Sequence, residues 1–152
     1  MGGGRPTDRA LLQEIYLQDL VLSIYRVYEA RLTDAAARDI LKEYLRGEVY
    51  RGERIEALLA AEGATVPAAP RALFAAAGRL YGRLTALFGT RIMMRILYSS
   101  GRRASRRACA AVGLPAPPDL QYLATLKAKN EGDLFDAMRQ HLIDTRPLKE
   151  PR

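Results

Sequence analysis

Cysteine, histidine and tryptophan are almost missing from this chain: its 152 residues include one Cys, Cys109, one His, His141, and no Trp. A single cysteine excludes an internal disulfide, and one Cys with one His excludes a zinc site of the usual Cys/His kind. A reducing, cytosolic setting is the expectation. Long apolar runs are missing too. The longest uncharged stretch is the eleven residues Ala108 to Pro118, three of them proline, whereas a membrane span needs about 20 apolar residues. The start, Met1-Gly2-Gly3-Gly4-Arg5-Pro6, holds no apolar core for a signal peptide, and Pro6 stands where a myristoylation signal wants Ser or Thr. Neither a glycine-rich phosphate loop nor a dinucleotide fingerprint occurs. What is present, 49% hydrophobic residues in a chain of this length, suits one domain with a real core and excludes a disordered tail or a two-domain enzyme.

Acid is absent from one long segment. The net charge is +7, and residues 71 to 118 carry nine arginines with no Asp or Glu, while residues 1 to 70 hold nine basic and eleven acidic side chains and residues 119 to 152 six of each. The whole positive excess belongs to that middle segment, so an anionic partner is expected to meet the protein there.

Apolar residues recur at helical spacing nearly throughout, with no sustained strand-type alternation, so the fold class is all-α. The spacing predicts a first helix over Asp8–Arg31, capped by Thr7 or Asp8, and a second that starts after Thr33 and Asp34 and runs to Glu62, with Gly63 as its stop. So short a link forces an antiparallel hairpin. Ala64 to Pro70 reads as a connector. A third helical region is predicted from Arg71 to Val112, kinked or broken at Gly89-Thr90 and stopped by Gly113. Pro115, Pro117 and Pro118 form a stiff link, and Asp119 is expected to cap a fourth helix reaching Asp144, weakened at Gly132. Four long antiparallel helices make a four-helix bundle over residues 7–144 the leading architecture, with 1–6 and 145–152 as flexible tails.

In di-iron bundles, residues three apart on a helix chelate one metal site, typically as Glu-x-x-His. Here Glu48 has Arg51 at that offset, and a guanidinium has no lone pair to offer. The run from Glu43 to Gly63 resembles the second helix of the demethoxyubiquinone hydroxylase family of ferritin-like proteins, whose Glu-Glu-x-x-His motif precedes a similar apolar run and terminal Gly. Gly78, Gly82, Thr85, Ala86, Leu87, Gly89 and Met94 resemble the glycine-rich approach to that family's third helix, and Ile24-Tyr25-Arg26 resembles its first-helix Ile-Tyr segment. The resemblance implies a ferritin-like fold and places Gln18, Glu48, Arg51 and Gly101 at positions where the family holds metal. Only Glu48 keeps a ligand. Asn130-Glu131-Gly132-Asp133-Leu134, in the fourth helix, has no His three residues after either acid, and His141 lies well beyond the expected place. The expectation is therefore a bundle with no metal and no cofactor, in which Glu48, Arg51 and the Gln18 amide pair with one another on an inward face.

Tyr16, Tyr25, Tyr28, Tyr44 and Tyr50 are read as core residues rather than as a cofactor pocket, and Cys109 as a buried small residue rather than a nucleophile. Arg102-Arg103-Ala104-Ser105 matches a basic kinase consensus, a string that arises by chance in arginine-rich helices. Gly78-x-x-x-Gly82 is read as a close helix contact. The sharpest positive signal is the stripe Arg79, Arg83, Arg91, Arg95, Arg102 and Arg106, beside a second stripe of Leu80, Leu84, Leu87, Met94, Leu97, Gly101, Ala104 and Ala108. A solvated face, an anionic membrane surface and a nucleic acid compete for it, and the lack of a helix-turn-helix spacing or an aromatic platform disfavours the last. The resemblance favours the membrane, because that family works on an isoprenoid quinone and approaches the bilayer through its third-helix region. The reading is a binding or scaffold protein, cytoplasmic or peripheral on the inner face of a membrane, with the enzyme question left open. Its partner is an anionic membrane surface, a quinone-like hydrophobic lipid, or a protein such as a second copy. A divergent di-iron hydroxylase of ubiquinone biosynthesis is the first alternative and a basic nucleic-acid-binding bundle the second.

Overall fold

The computed structural model describes residues 6–145. Among them are five helices and no strand: α1 (Pro6–Arg31), α2 (Ala35–Ala61), α3 (Ala68–Ala86), α4 (Thr90–Val112) and α5 (Pro118–Asp144). The expected tails lie outside the described residues except for Pro6, which opens α1, and Thr145, whose backbone N–H donates to the His141 carbonyl.

Local chemistry sets most of the boundaries. Thr7 and Asp8 lie inside α1, not at its cap, and Asp8 places a negative charge in the first turn, where the helix dipole favours it. Asp34 caps α2 as predicted, its carboxylate accepting from the Ala37 N–H at 3.0 Å. Gly63 leaves that helix at φ +74°, a conformation costly to any side chain. Pro117 precedes α5 and Pro118 opens it, so Asp119 sits in the first turn rather than at the cap. Gly132 does not interrupt α5.

The predicted third helix is two helices. Gly89, at φ +87°, breaks the chain, and the backbone reverses across it, so the count is five helices and not four. The side-chain pairings give the directions. Glu48 lies by Gln18, and Ile55 and Leu59 share a cluster with Leu11 and Ile15, so α2 is antiparallel to α1. Asp34 meets His141 while Tyr44 meets Glu131, so α5 is antiparallel to α2. Tyr25 meets Ser100 and Thr33 meets Thr90, so α4 is antiparallel to α1. Tyr16 stacks on Phe74 and Tyr28 bonds Thr85, so α3 runs parallel to α1. Helices α1, α3 and α5 thus point one way and α2 and α4 the other, with α3 carrying the chain back along α1 from the end of α2 to the start of α4.

Two apolar clusters fill the bundle. One joins Leu22, Tyr25 and Tyr28 of α1 to Leu41 and Tyr44 of α2, Met93 and Leu97 of α4, and Leu134 and Met138 of α5. The other joins Leu11 and Ile15 to Ile55, Leu59 and Leu123 at the far end. Each fully buried aliphatic side chain contributes about 1.5–3 kcal/mol. Along α1, α2 and α5 the positions between the two clusters are polar, and the first candidate site lies there.

Candidate functional site

The polar layer crosses the bundle at Gln18, Glu48, Arg51 and Glu131, all buried. Arg51 forks onto Glu48 with Nη2 to Oε2 at 2.8 Å and Nε to Oε1 at 3.1 Å, and reaches Glu14 through Nη1 at 3.1 Å. Gln18 Nε2 donates to the Glu48 carbonyl and to its carboxylate, and Asn130 Nδ2 donates to Glu48 Oε1 at 3.0 Å. Lys127 completes the edge, its ammonium 2.9 Å from Glu14. Two glycines make room. A Cβ at Gly52 would strike the Gln18 side chain, and one at Gly47 would strike Asn130. On the other side Tyr44 donates to Glu131 Oε1 at 2.8 Å.

Electrostatics separate the two buried acids. Burial pushes the Glu48 carboxyl up, but the Arg51 guanidinium with the Asn130 and Gln18 amides outweighs it and leaves Glu48 below its ordinary value. No cation bonds Glu131, and Lys127 and Arg51 act on it only from a distance. Burial carries its carboxyl up to about 7, with the Glu48 charge adding to the rise against the pull of the Tyr44 hydroxyl. Burial first, then the charges of Glu48 and Glu131, holds the Tyr44 hydroxyl well above its ordinary value, so it is a donor throughout the working range.

The sequence placed Gln18, Glu48 and Arg51 in one inward cluster, and the structure brings them together. Gly101 lies against Leu134 and Phe135 of α5 and supplies no side chain to the layer. Glu131, Tyr44, Asn130, Glu14 and Lys127 were missed as members. Tyr44 precedes Glu48 by one helical turn, and that spacing was the available signal. The donor set does not fit a di-metal centre. The Glu48 carboxylate is saturated by four nitrogen donors from three residues, Arg51 holds a ligand position with a cation, and among the described residues no three His, Cys, Asp or Glu side chains converge on a point that could hold a metal. No buried polar side-chain atom there lacks a partner. The layer is a satisfied buried network that joins α1, α2 and α5 at one level of the fold.

The arginines form a second, exposed site, arranged differently from the expected single stripe. Because the chain reverses at Gly89, Arg79 and Arg83 lie on α3 while Arg91, Arg95, Arg102 and Arg106 run along α4. Arg71 is occupied, with Asp19 at 2.7 Å and Glu56 at 2.7 Å. The other eight arginines of the segment are exposed and have no ion-pair partner among the described residues. The apolar stripe divides in the same way. Met94, Leu97, Gly101 and Ala108 are buried on α4 and Ala104 is half-buried, but Leu80, Leu84 and Leu87 face outward.

That outward turn follows from how α3 packs. Its inner face is Gly78 and Gly82, set so close to α1 that a Cβ at Gly78 would strike the Leu20 carbonyl oxygen and one at Gly82 would lie 3.1 Å from the Val27 Cβ. The opposite face, half a turn away, carries Leu73, Leu80, Leu84 and Leu87, which are 68%, 61%, 53% and 75% exposed, with Phe88 just beyond at 74%. No described helix is long and apolar enough to cross a membrane.

Three further expectations meet the structure unevenly. Tyr25, Tyr28 and Tyr44 are core, Tyr16 is half-buried against Phe74, and Tyr50 is exposed on the outer side of α2. Cys109 is exposed, not buried: its neighbour Ala108 takes the inward position, and Cys109 turns with the solvent face. His141 bonds the Asp34 carboxylate at 2.7 Å, tying the end of α5 to the cap of α2. Comparison of the chain with protein families, curated proteins and solved structures finds no match to any of them.

Proposed function

We propose that this chain is a metal-free, ferritin-like bundle that works as a peripheral binding protein, docking on an anionic membrane surface through α3. The observation that carries the reading is the leucine face of α3: four leucines, each more than half exposed, on the side opposite the only helix that α3 packs along closely. Exposed apolar patches of this size on a soluble fold mark contact surfaces. The ferritin-like part is supported by the direction of the helices, since an up-down pair joined to a down-up pair by one long crossover is the ferritin arrangement. The charged cluster at mid-bundle occupies the place where that arrangement carries its metals.

Charge selects the partner. Leu73, Ala77, Leu80, Leu84 and Leu87 follow the 4-3-4-3 spacing of a coiled-coil seam, which also suits a helix of a second copy. Such a pairing sets Arg79 and Arg83 of each copy near one another, and the segment holds no acid to separate them. An anionic bilayer supplies apolar depth for the leucines and negative charge for the arginines at once. Each arginine near such a surface contributes about 1 kcal/mol, and each inserted leucine up to roughly 2 kcal/mol.

Sedimentation with phosphatidylserine vesicles tests the reading. The chain is expected to pellet with them at low salt and to be released as salt rises, because the surface potential decays within a Debye length of about 10 Å at 0.1 M. Leu80→Ser with Leu84→Ser and Leu87→Ser, all at exposed positions, is expected to abolish pelleting with the helical content unchanged, and Arg91→Glu with Arg95→Glu to weaken it. Undiminished pelleting of the leucine variant, or displacement of the wild type by duplex DNA, overturns the membrane reading. A concentration-dependent dimer lost in the leucine variant assigns the face to a second copy.

A further inference from the structure

Beside the leucine face, where α1 and α3 meet, lies a groove of about 340 Å³ whose walls carry four arginines: Arg26 and Arg31 from α1, Arg79 and Arg83 from α3. Its floor is small, with Ser23, Val27 and Ala30 between the two helices. The glycine contact explains how four long cations come to share so narrow a space. With only a hydrogen at Gly78 and Gly82, the two backbones close together, and the arginine stems of each helix rise on either side of one seam. No carboxylate lines the groove. None of the four guanidiniums has an ion-pair partner among the described residues, although about two turns before Gly78 the same pair of helices does pair its charges, Arg71 with Asp19. Glu29 faces a neighbouring depression, which it shares with Arg26.

Four like charges around one concavity repel one another until an anion enters. Each guanidinium offers a planar fork that matches two oxygens of a phosphate. A phosphodiester lipid exposes one charge and two free oxygens and occupies one or two such forks. A phosphomonoester carries about −1.5 to −2 charges and three acceptor oxygens, the stoichiometry that four convergent arginines suit. From these features we infer that the α1–α3 groove is a phosphomonoester site, which in a bilayer selects lipids whose headgroup ends in an unesterified phosphate. The inference rests on the membrane reading for its lipid source and on the groove alone for its anion. The two are adjacent: Arg79 and Arg83 flank the leucine face by about a quarter turn, so leucines set into the acyl boundary leave the groove at the level of the headgroups.

The experiment uses the full chain and two sets of vesicles matched in surface charge, one made with phosphatidylserine and the other with phosphatidic acid. The wild type is expected to bind the second about tenfold more tightly, the worth of one further charge-assisted hydrogen bond. Arg26→Gln with Arg31→Gln, two exposed changes on α1 away from the leucines, is expected to erase that preference while phosphatidylserine binding persists. Arg79→Gln with Arg83→Gln, which also removes two cations beside the leucine face, should erase the preference too and weaken phosphatidylserine binding along with it. In parallel, glycerol 3-phosphate is titrated without lipid, and amide shifts in 23–31 and 78–83 are followed. Equal binding of the wild type to both vesicles, with no shifts in the groove, overturns the phosphomonoester site and leaves the membrane reading standing. Shifts localised to the groove with no binding to either vesicle keep the site as one for a free phosphomonoester and overturn the membrane reading. Binding of neither overturns both.

Discussion

Replacing Glu131 by Gln turns the buried polar layer into a measurable pH dependence. The carboxyl is buried at 6% exposure, accepts the Tyr44 hydroxyl, and is carried from an ordinary 4.5 up to about 7 in the fold. An acid with a raised folded value keeps its proton where the unfolded chain has already lost its own. Between those two values the native state binds more protons, so its stability falls as pH rises from about 4.5 through about 7 and is level above. A difference of about 2.5 units, at about 1.4 kcal/mol each, amounts to about 3 kcal/mol, a large share of the 5–15 kcal/mol that holds a typical domain together. Glu48 and Glu14 are displaced downward: burial raises each, and the cations beside them more than reverse it. Their stabilisation is present above the unfolded value and is lost as pH falls through the folded one, so they act at the acid end. The difference between Glu131→Gln and wild type removes those shared contributions. Glutamine keeps the volume and an oxygen for Tyr44. Urea denaturation at steps from about pH 4 to 8 is then expected to show the variant gaining about 3 kcal/mol on the wild type across the range, equivalent to about 6–12 °C in Tm. Parallel curves would refute the assignment of Glu131 as a buried acid whose desolvation outweighs the distant charges of Lys127 and Arg51.

Removing Arg51 leaves Glu48 buried without its counter-charge, so Arg51→Ala is expected to cost about 3–5 kcal/mol in urea denaturation; unchanged stability would show that the Arg51–Glu48 pair is not buried. Two glycine substitutions should move in opposite directions. Gly132→Ala, whose Cβ would lie 3.9 Å from Ser105 Oγ, should gain roughly 0.5–1 kcal/mol of helix propensity, whereas Gly78→Ala should lose stability by forcing α3 away from α1. Gly78→Ala that stabilises instead would put α3 elsewhere. Elemental analysis of protein purified without chelators is expected to find iron well below one atom per chain, because the Arg51 guanidinium and the saturated Glu48 carboxylate leave no pair of open ligands. Stoichiometric iron with the absorption of an oxo-bridged pair would restore the hydroxylase alternative.

The helical class, the α1–α2 hairpin and the break near Gly89 were legible because each rests on local chemistry: period, cap and glycine. The inward pairing of Glu48 with Arg51 was legible too, since both lie on one helix within a turn. What the sequence concealed depends on direction in space. A break at Gly89 does not state whether the chain bends or reverses, and reversal alone decides whether Arg79 and Arg106 share a face. Glu131 and Asn130 join the layer from more than eighty residues away, through an α2–α5 register that no local pattern encodes. Cys109 was misplaced by a general tendency of cysteine to be buried, against a helical phase that gives Ala108 the inward position.

The same distinction gives α3 its meaning. A crossover helix has to satisfy its backbone and stay attached, and α3 does both with glycines, alanines and the Arg71 ion pairs, none of which requires a leucine on its far side. The leucines at 73, 80, 84 and 87 contribute little to holding the bundle together, since the residues that fill its core come from α1, α2, α4 and α5. Exposed, they raise the risk of aggregation, and polar residues at the same positions would give a helix of similar propensity without that risk. A stability argument therefore accounts for most apolar side chains of the other four helices, whose exposed ones such as Leu17 and Ile143 lie singly, and leaves over the leucines that α3 gathers on one face. Their exposure, their regular spacing and the eight arginines of the surrounding segment that lack an ion-pair partner among the described residues are what the proposed docking surface explains together.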